Sequence, residues 1–261
     1  MRILKFIVAV VCAAKLPAQT PGTRLSVEVN VTSVVIRGDT TGVFYTVRNG
    51  SGSQDSLFTF TVDAPARVIY IAAPPPDSIW KADSLVSGNQ PAAQWVTLDL
   101  LPPGAISPDL SFESLGLPSI VTHWAEGGWP LPACCDDDSA NAGDAYTLAI
   151  RSVQGKTVGV EQWPSDRSTQ ALLGRLHELT QTVCGSPLIW VTDSALCTAL
   201  VSDLSAAESF RASGATIEAR NSLDHYKGLL SGPDPGSFAP GVTSPAYWLL
   251  RANADIVRGR L

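Results

Sequence analysis

Three histidines, His123, His177 and His225, are the imidazoles available for catalysis in this chain of 261 residues. A hydrolytic triad needs one of them held between a carboxylate and an activated serine. No G-x-S-x-G elbow is present. His177 adjoins Glu178 in a helical stretch, where sequence neighbours face apart. His225 beside Tyr226 reads the same way, and His123 beside Trp124 falls in a strand. Neither H-E-x-x-H nor C-x-x-C spacing occurs, so the common zinc sites are not expected. These residues predict a protein that is not an enzyme.

Two other groups invite chemistry. The segment 134–144, CCDDDSANAGD, is rich in hard oxygen ligands, of which Asp136, Asp138 and Asp144 suit a Ca²⁺ ion of weak, extracellular-type affinity. EF-hand spacing fails, because alanines stand at alternate positions after Asp138 and no glutamate closes the loop. The competing reading is a solvated acidic turn, the ordinary behaviour of a charge run. No other cofactor is implied. The second group is tryptophan, seven in all. Trp124 and Trp129 flank Gly127-Gly128 beside His123, and exposed indole faces there would stack on the C–H surfaces of a sugar. Against this, a small β-domain ordinarily buries its few tryptophans.

What positions these residues depends first on compartment. Residues 1–18 read as a signal peptide: Arg2 and Lys5 precede an apolar run from Phe6 to Ala14, and small Ala18 marks the cleavage point. The run is shorter than the ~20 residues of a membrane span. Lipid attachment at Cys12 is disfavoured by Val11, where a small residue is wanted. No second apolar span follows, so the mature chain is expected to lack a transmembrane segment and to be secreted, extracellular or periplasmic, free or surface-associated. Without 1–18 the chain holds 15 basic and 24 acidic residues, a balance that offers nothing to nucleic acid phosphates. Residues 19–164 carry 7 basic and 15 acidic side chains and residues 165–261 carry 8 and 9, an acidic module before a nearly neutral one.

Four cysteines then remain, Cys134, Cys135, Cys184 and Cys197, and an even count in an oxidising compartment predicts disulfides. Pairing Cys184 with Cys197 and Cys134 with Cys135 needs no contact between modules. The adjacent pair would be strained, and its alternative is a partner elsewhere. Closing the 184–197 loop restricts the unfolded chain by roughly 3 kcal/mol in the chain-entropy view.

Between Leu25 and Ile36 apolar and polar residues alternate, the two-residue period of a half-buried strand. Similar runs occur at Val43–Arg48 and Ser56–Val62, with shorter ones at Arg67–Ile71, Gln94–Leu98, Leu110–Glu113, Ile120–Trp124, Tyr146–Ser152 and Thr157–Val160. Eight or nine short strands separated by turns predict an immunoglobulin-like antiparallel β-sandwich over 19–163.

After Trp163-Pro164 the period changes. Leu172, Leu176, Leu179 and Val183 follow the spacing of one helical face. Thr192-Asp193-Ser194 offers cap oxygens to a second helix bearing Leu196, Leu200, Leu204 and Ala207, which stops at Ser213-Gly214. A third opens at Thr216 and carries Ala219, Leu223, Tyr226 and Leu230. A Pro/Gly-rich loop, 232–241, leads to a fourth that opens at Ser244-Pro245 and carries Tyr247, Leu250, Ala254 and Val257. The prediction for 164–261 is a four-helix bundle.

The segment Ser168–Leu261, with STQALLGRL, the Cys184–Cys197 connector, CTALVSDLSAAESFRASG, DHYKGLL and SPAYWLL followed by Asn253-Ala254-Asp255, resembles the FIMAH domain of bacterial secreted and surface proteins. The region SFESLGLPSIVTHWAEG with SVQGKTVGV is similar to a secreted β-domain that accompanies it. The long Pro/Gly loop departs from the tighter turn expected of that module. The resemblance implies extracellular placement and an interaction role, with no catalytic residues to carry over. The combined expectation is a non-enzymatic adhesion, interaction or envelope-scaffolding protein whose partner is a protein or glycan at the cell envelope. The alternative is a carbohydrate-binding accessory module.

Overall fold

A computed structural model of the chain describes residues 24–72, 74, 80–87, 90–128, 152–234 and 236–261. The expected signal peptide, Cys134 and Cys135, the acidic loop with Asp136, Asp138 and Asp144, and Trp129 lie outside the described residues. Nine strands come first: β1 (Val27–Arg37), β2 (Thr40–Asn49), β3 (Ser56–Asp63), β4 (Arg67–Ala72), β5 (Trp80–Ser87), β6 (Gln90–Leu101), β7 (Leu110–Leu115), β8 (Leu117–Gly128) and β9 (Ser152–Glu161). They form two wholly antiparallel sheets, ordered β1-β2-β7-β4 and β5-β6-β3-β8-β9. This is the expected immunoglobulin-like sandwich, four strands on five.

The alternating runs become strands because one face of each meets the opposite sheet. Tyr45 and Phe112 from one sheet meet Phe60 and Trp95 from the other, with ring centroids between 5.9 and 6.4 Å apart. All four side chains are fully buried. The Tyr45 hydroxyl donates to the Val158 carbonyl at 2.5 Å, which satisfies the one polar atom of that ring. Burial raises the Tyr45 phenol well above its ordinary pKa.

One strand departs from the sequence expectation and another extends it. β5 was not foreseen, because Lys81, Asp83 and Ser84 break the apolar alternation. It forms by pairing from Trp80↔Thr97 to Ser87↔Gln90, so the β6 partner rather than intrinsic preference makes it a strand. The strand expected at Thr157–Val160 is longer than foreseen, running over Ser152–Glu161 as β9, while all but the last residue of the one expected at Tyr146–Ser152 lies outside the described residues.

Four helices follow: α1 (Thr169–Cys184), α2 (Ser194–Ala212), α3 (Thr216–Leu229) and α4 (Ser244–Arg260). Ser168 caps α1 by accepting from the Ala171 N–H, and Asp193 caps α2 by accepting from Ala195 and Leu196. Gly214, with φ of +78°, lets the chain turn after α2. The foreseen stripes point inward: Leu172, Leu176, Leu179, Val183, Leu200, Leu204, Ala207, Ala219, Leu223, Tyr226, Tyr247, Leu250, Ala254 and Val257 are buried, and Leu196 in the first turn of α2 is half-buried. Cys184 and Cys197 form the expected disulfide, tying the end of α1 to the first turn of α2.

The helices dock on the sandwich through polar contacts that apolar periodicity does not announce. Asn253 of α4 is buried and donates to the Pro118 carbonyl at 3.1 Å and the Leu249 carbonyl at 2.9 Å. Ser244 donates to the Val31 carbonyl at the edge of β1. Arg175 of α1 forms an ion pair with Glu161 and donates to Pro118 as well. On the connecting segment, Trp163 donates through Nε1 to the Asp39 carbonyl, and the Arg167 and Arg260 guanidinium groups lie 4.8 and 5.3 Å from its ring centroid. No helix of the described residues is long and apolar enough to cross a membrane.

Candidate functional site

The outer face of the five-stranded sheet carries Trp124. Its neighbours along β8, His123 and Ala125, are buried toward Phe60, so alternation turns Trp124 outward, where it is half-buried. Register sets four side chains in one row across four strands: Gln94↔Thr61, Thr61↔Trp124 and Trp124↔Gln154. The Gln94 amide donates to the Thr61 hydroxyl at 3.1 Å, which fixes both on this face. In the row above, the Thr59 hydroxyl donates to Glu126 at 3.2 Å. In the row below, Lys156 donates to the Thr122 hydroxyl at 3.0 Å. Partial burial raises the Asp63 carboxyl pKa, against the lowering pull of Lys156 and Thr122. The result is one indole among amides, hydroxyls and both signs of charge, with neighbouring positions within a row about 4.8 Å apart, the strand-to-strand spacing.

Behind Trp124, His123 faces the interior. It is 7% exposed, packs 5.8 Å from the Phe60 ring, and its Nδ1 has no hydrogen-bond partner among the described residues. A Cβ on Gly155 would lie 2.5 Å from the His123 Cε1, so only glycine leaves room for the imidazole there. Burial, reinforced by the Lys156 charge, pushes the His123 pKa down to about 4. The ring is therefore neutral near pH 7, and among the described residues no carboxylate is placed to turn it into a general base.

Two adjoining cavities lie where the helices meet the sandwich. One, of about 330 Å³, is lined by Val27 and Val29 of β1, Val153 to Lys156 of β9, His123, Trp190, Thr243 and Pro245. The other, of about 390 Å³, lies across β1 and includes Glu28, Asn30, Thr46, Arg48 and Ile106. The remaining histidines lie on the helices. His225 Nδ1 is 2.7 Å from the Asp203 carboxylate and His177 Nδ1 is 3.7 Å from Glu208. His225 is mostly solvent-exposed rather than set in a cleft. Among the described residues no cluster of three metal-ligating side chains occurs.

Sequence reading singled out Trp124 but not Gln94, Thr61 and Gln154, which join it only through strand register. A partner row needs strand order as well as alternation, and strand order is not written in the local pattern.

No protein-family model and no curated protein matches the chain. Among solved structures, an uncharacterized protein from Nocardia farcinica with an immunoglobulin-like fold is similar over 43% of this chain and 88% of its own, at 14% identity and a TM-score of 0.29. The chitin-binding domain of Chi18aC from Streptomyces coelicolor is similar over 42% of this chain and 95% of its own, at 22% identity and a TM-score of 0.27. At those scores neither neighbour bears on what this chain binds.

Proposed function

We propose that the chain is an exported, non-enzymatic adhesion or recognition module that holds glycan against the outer face of its five-stranded sheet. The observation that carries this reading is the in-register row Gln94–Thr61–Trp124–Gln154. An indole offers a flat apolar surface to the C–H face of a pyranose, and flanking amides and carboxylates meet its hydroxyls. The Cys184–Cys197 disulfide supports an oxidising compartment, and the likeness of 168–261 to the FIMAH module supports an interaction role there. A glycan array probed with the purified protein is expected to show selective binding, reduced about tenfold or more by Trp124→Ala and unchanged by His225→Ala. A flat array would remove the glycan reading. Hydrolytic turnover by the purified protein, abolished by changing one histidine, would remove the non-enzymatic one.

A further inference from the structure

Two asparagines stand in the triplet that oligosaccharyltransferases read, Asn-X-Ser/Thr with X other than proline: Asn30-Val31-Thr32 and Asn49-Gly50-Ser51. The triplet does not choose between them, because transfer also needs the asparagine amide within reach and free of essential hydrogen bonds. The fold separates the two.

Asn49 is fully buried on β2, which lies between β1 and β7. Its Nδ2 donates to the Asp55 carbonyl at 3.0 Å and to the Leu101 carbonyl at 2.9 Å, so both amide hydrogens are engaged. A sugar on that nitrogen would remove one of these donors and bring a bulky polar group into the interior. Asn30 is the opposite case. It lies on β1, the edge strand of the same sheet, and is exposed on the outer face. With Glu28, Thr46 and Arg48 it lines the open cavity of about 390 Å³ beside the start of α4, and the exposed Ile106 lines it too. A pyranose linked there has space around it, an apolar side chain to lie on and polar groups to meet its hydroxyls.

The β1–β2 register shifts between Val31 and Ser33, so Thr32, which supplies the hydroxyl of the triplet, falls where the ladder is interrupted. Two positions before Asn30, the largely exposed Glu28 adds a carboxylate. Drawn into a transferase groove as an extended segment, positions 28, 30 and 32 turn to one side and are read together.

We infer that Asn30 is a site of N-linked glycosylation and that Asn49 is not. In the transfer, the Asn30 Nδ2 forms a bond to C1 of a sugar supplied by a lipid-linked oligosaccharyl diphosphate. The C1–O bond to the diphosphate breaks, the lipid diphosphate leaves with the bonding pair, and the nitrogen gives up one proton. Modification here rests on the export part of the proposed function, because the triplet is an acceptor in exported chains, and not on sugar binding at Trp124. The two positions lie on the outer faces of different sheets.

The full chain is expressed in a bacterial host supplied with an oligosaccharyltransferase and its lipid-linked donor. Protein recovered outside the cytoplasm is read by intact mass and by mass spectrometry of its peptides. The expected product has lost residues 1–18 and carries sugar on the peptide holding Asn30, with the peptide holding Asn49 unmodified. Asn30→Gln and Thr32→Ala are each expected to abolish the added mass, whereas Thr32→Ser keeps it and Ser51→Ala changes nothing. Exported protein with bare Asn30, sugar that persists in Thr32→Ala, or sugar on Asn49 of the folded protein would overturn the inference. Retention in the cytoplasm with residues 1–18 still attached would remove the export reading, and this inference with it.

Discussion

His123 shows how one residue can be placed by its neighbours rather than by its own preference. A neutral imidazole suits the interior, a charged one does not, and Gly155 makes the room. Because its folded pKa is lowered to about 4 from an ordinary 6.5, the unfolded chain binds its proton first as pH falls. Stability contributed by the neutral ring is present above pH 6.5 and is lost progressively as pH drops toward 4. Over that window the loss attributable to His123 is about 3 kcal/mol. The charge of Lys156 beside it adds to the penalty. Urea denaturation at pH 7 and pH 4.5 is expected to show the difference, and His123→Gln to remove most of it. An unchanged pH slope in that variant would contradict the assignment. The sequence showed His123 as a strand residue beside a tryptophan. That its ring turns inward follows from Val62 standing opposite it, a pairing across 61 residues that no local pattern reveals.

At the scale of elements, the helices were legible and the fifth strand was not. Leu172, Leu176, Leu179 and Val183 announce α1 because a helix that buries one face must repeat apolar residues every three to four positions. β5 needs no such repeat, since it lies at an edge and takes its conformation from β6. The α1–α2 connection was also readable, from two cysteines at the right separation. Replacing both with serine opens a loop spanning 13 positions and is expected to lower unfolding free energy by about 3 kcal/mol, measured by chemical denaturation under non-reducing conditions. A loss below about 1 kcal/mol would mean that helix packing alone holds this corner.

For the molecule as a whole, the sequence suggested two modules that need not touch, and the structure joins them. The residues that do so, Arg175, Ser244 and Asn253, are polar and carry no periodicity; their partners lie 57, 213 and 135 positions away. Asn253→Ala is expected to cost about 1–3 kcal/mol, because it strands part of the bonding capacity of the buried Pro118 carbonyl. Calorimetry is expected to split a single unfolding transition into separate sandwich and helical steps. A lowered but still single transition would show that the apolar contacts of α4 suffice for coupling.

Trp163 also decides how the molecule carries tension. The Arg260 guanidinium, at the far end of α4, rests on that ring and donates to the Arg167 carbonyl, while the Arg260 carbonyl accepts from Thr169. A pull applied at Arg260 therefore enters beside the first turn of α1 and the strap leaving β9, so the last helix hands its load to the root of the first instead of peeling away alone.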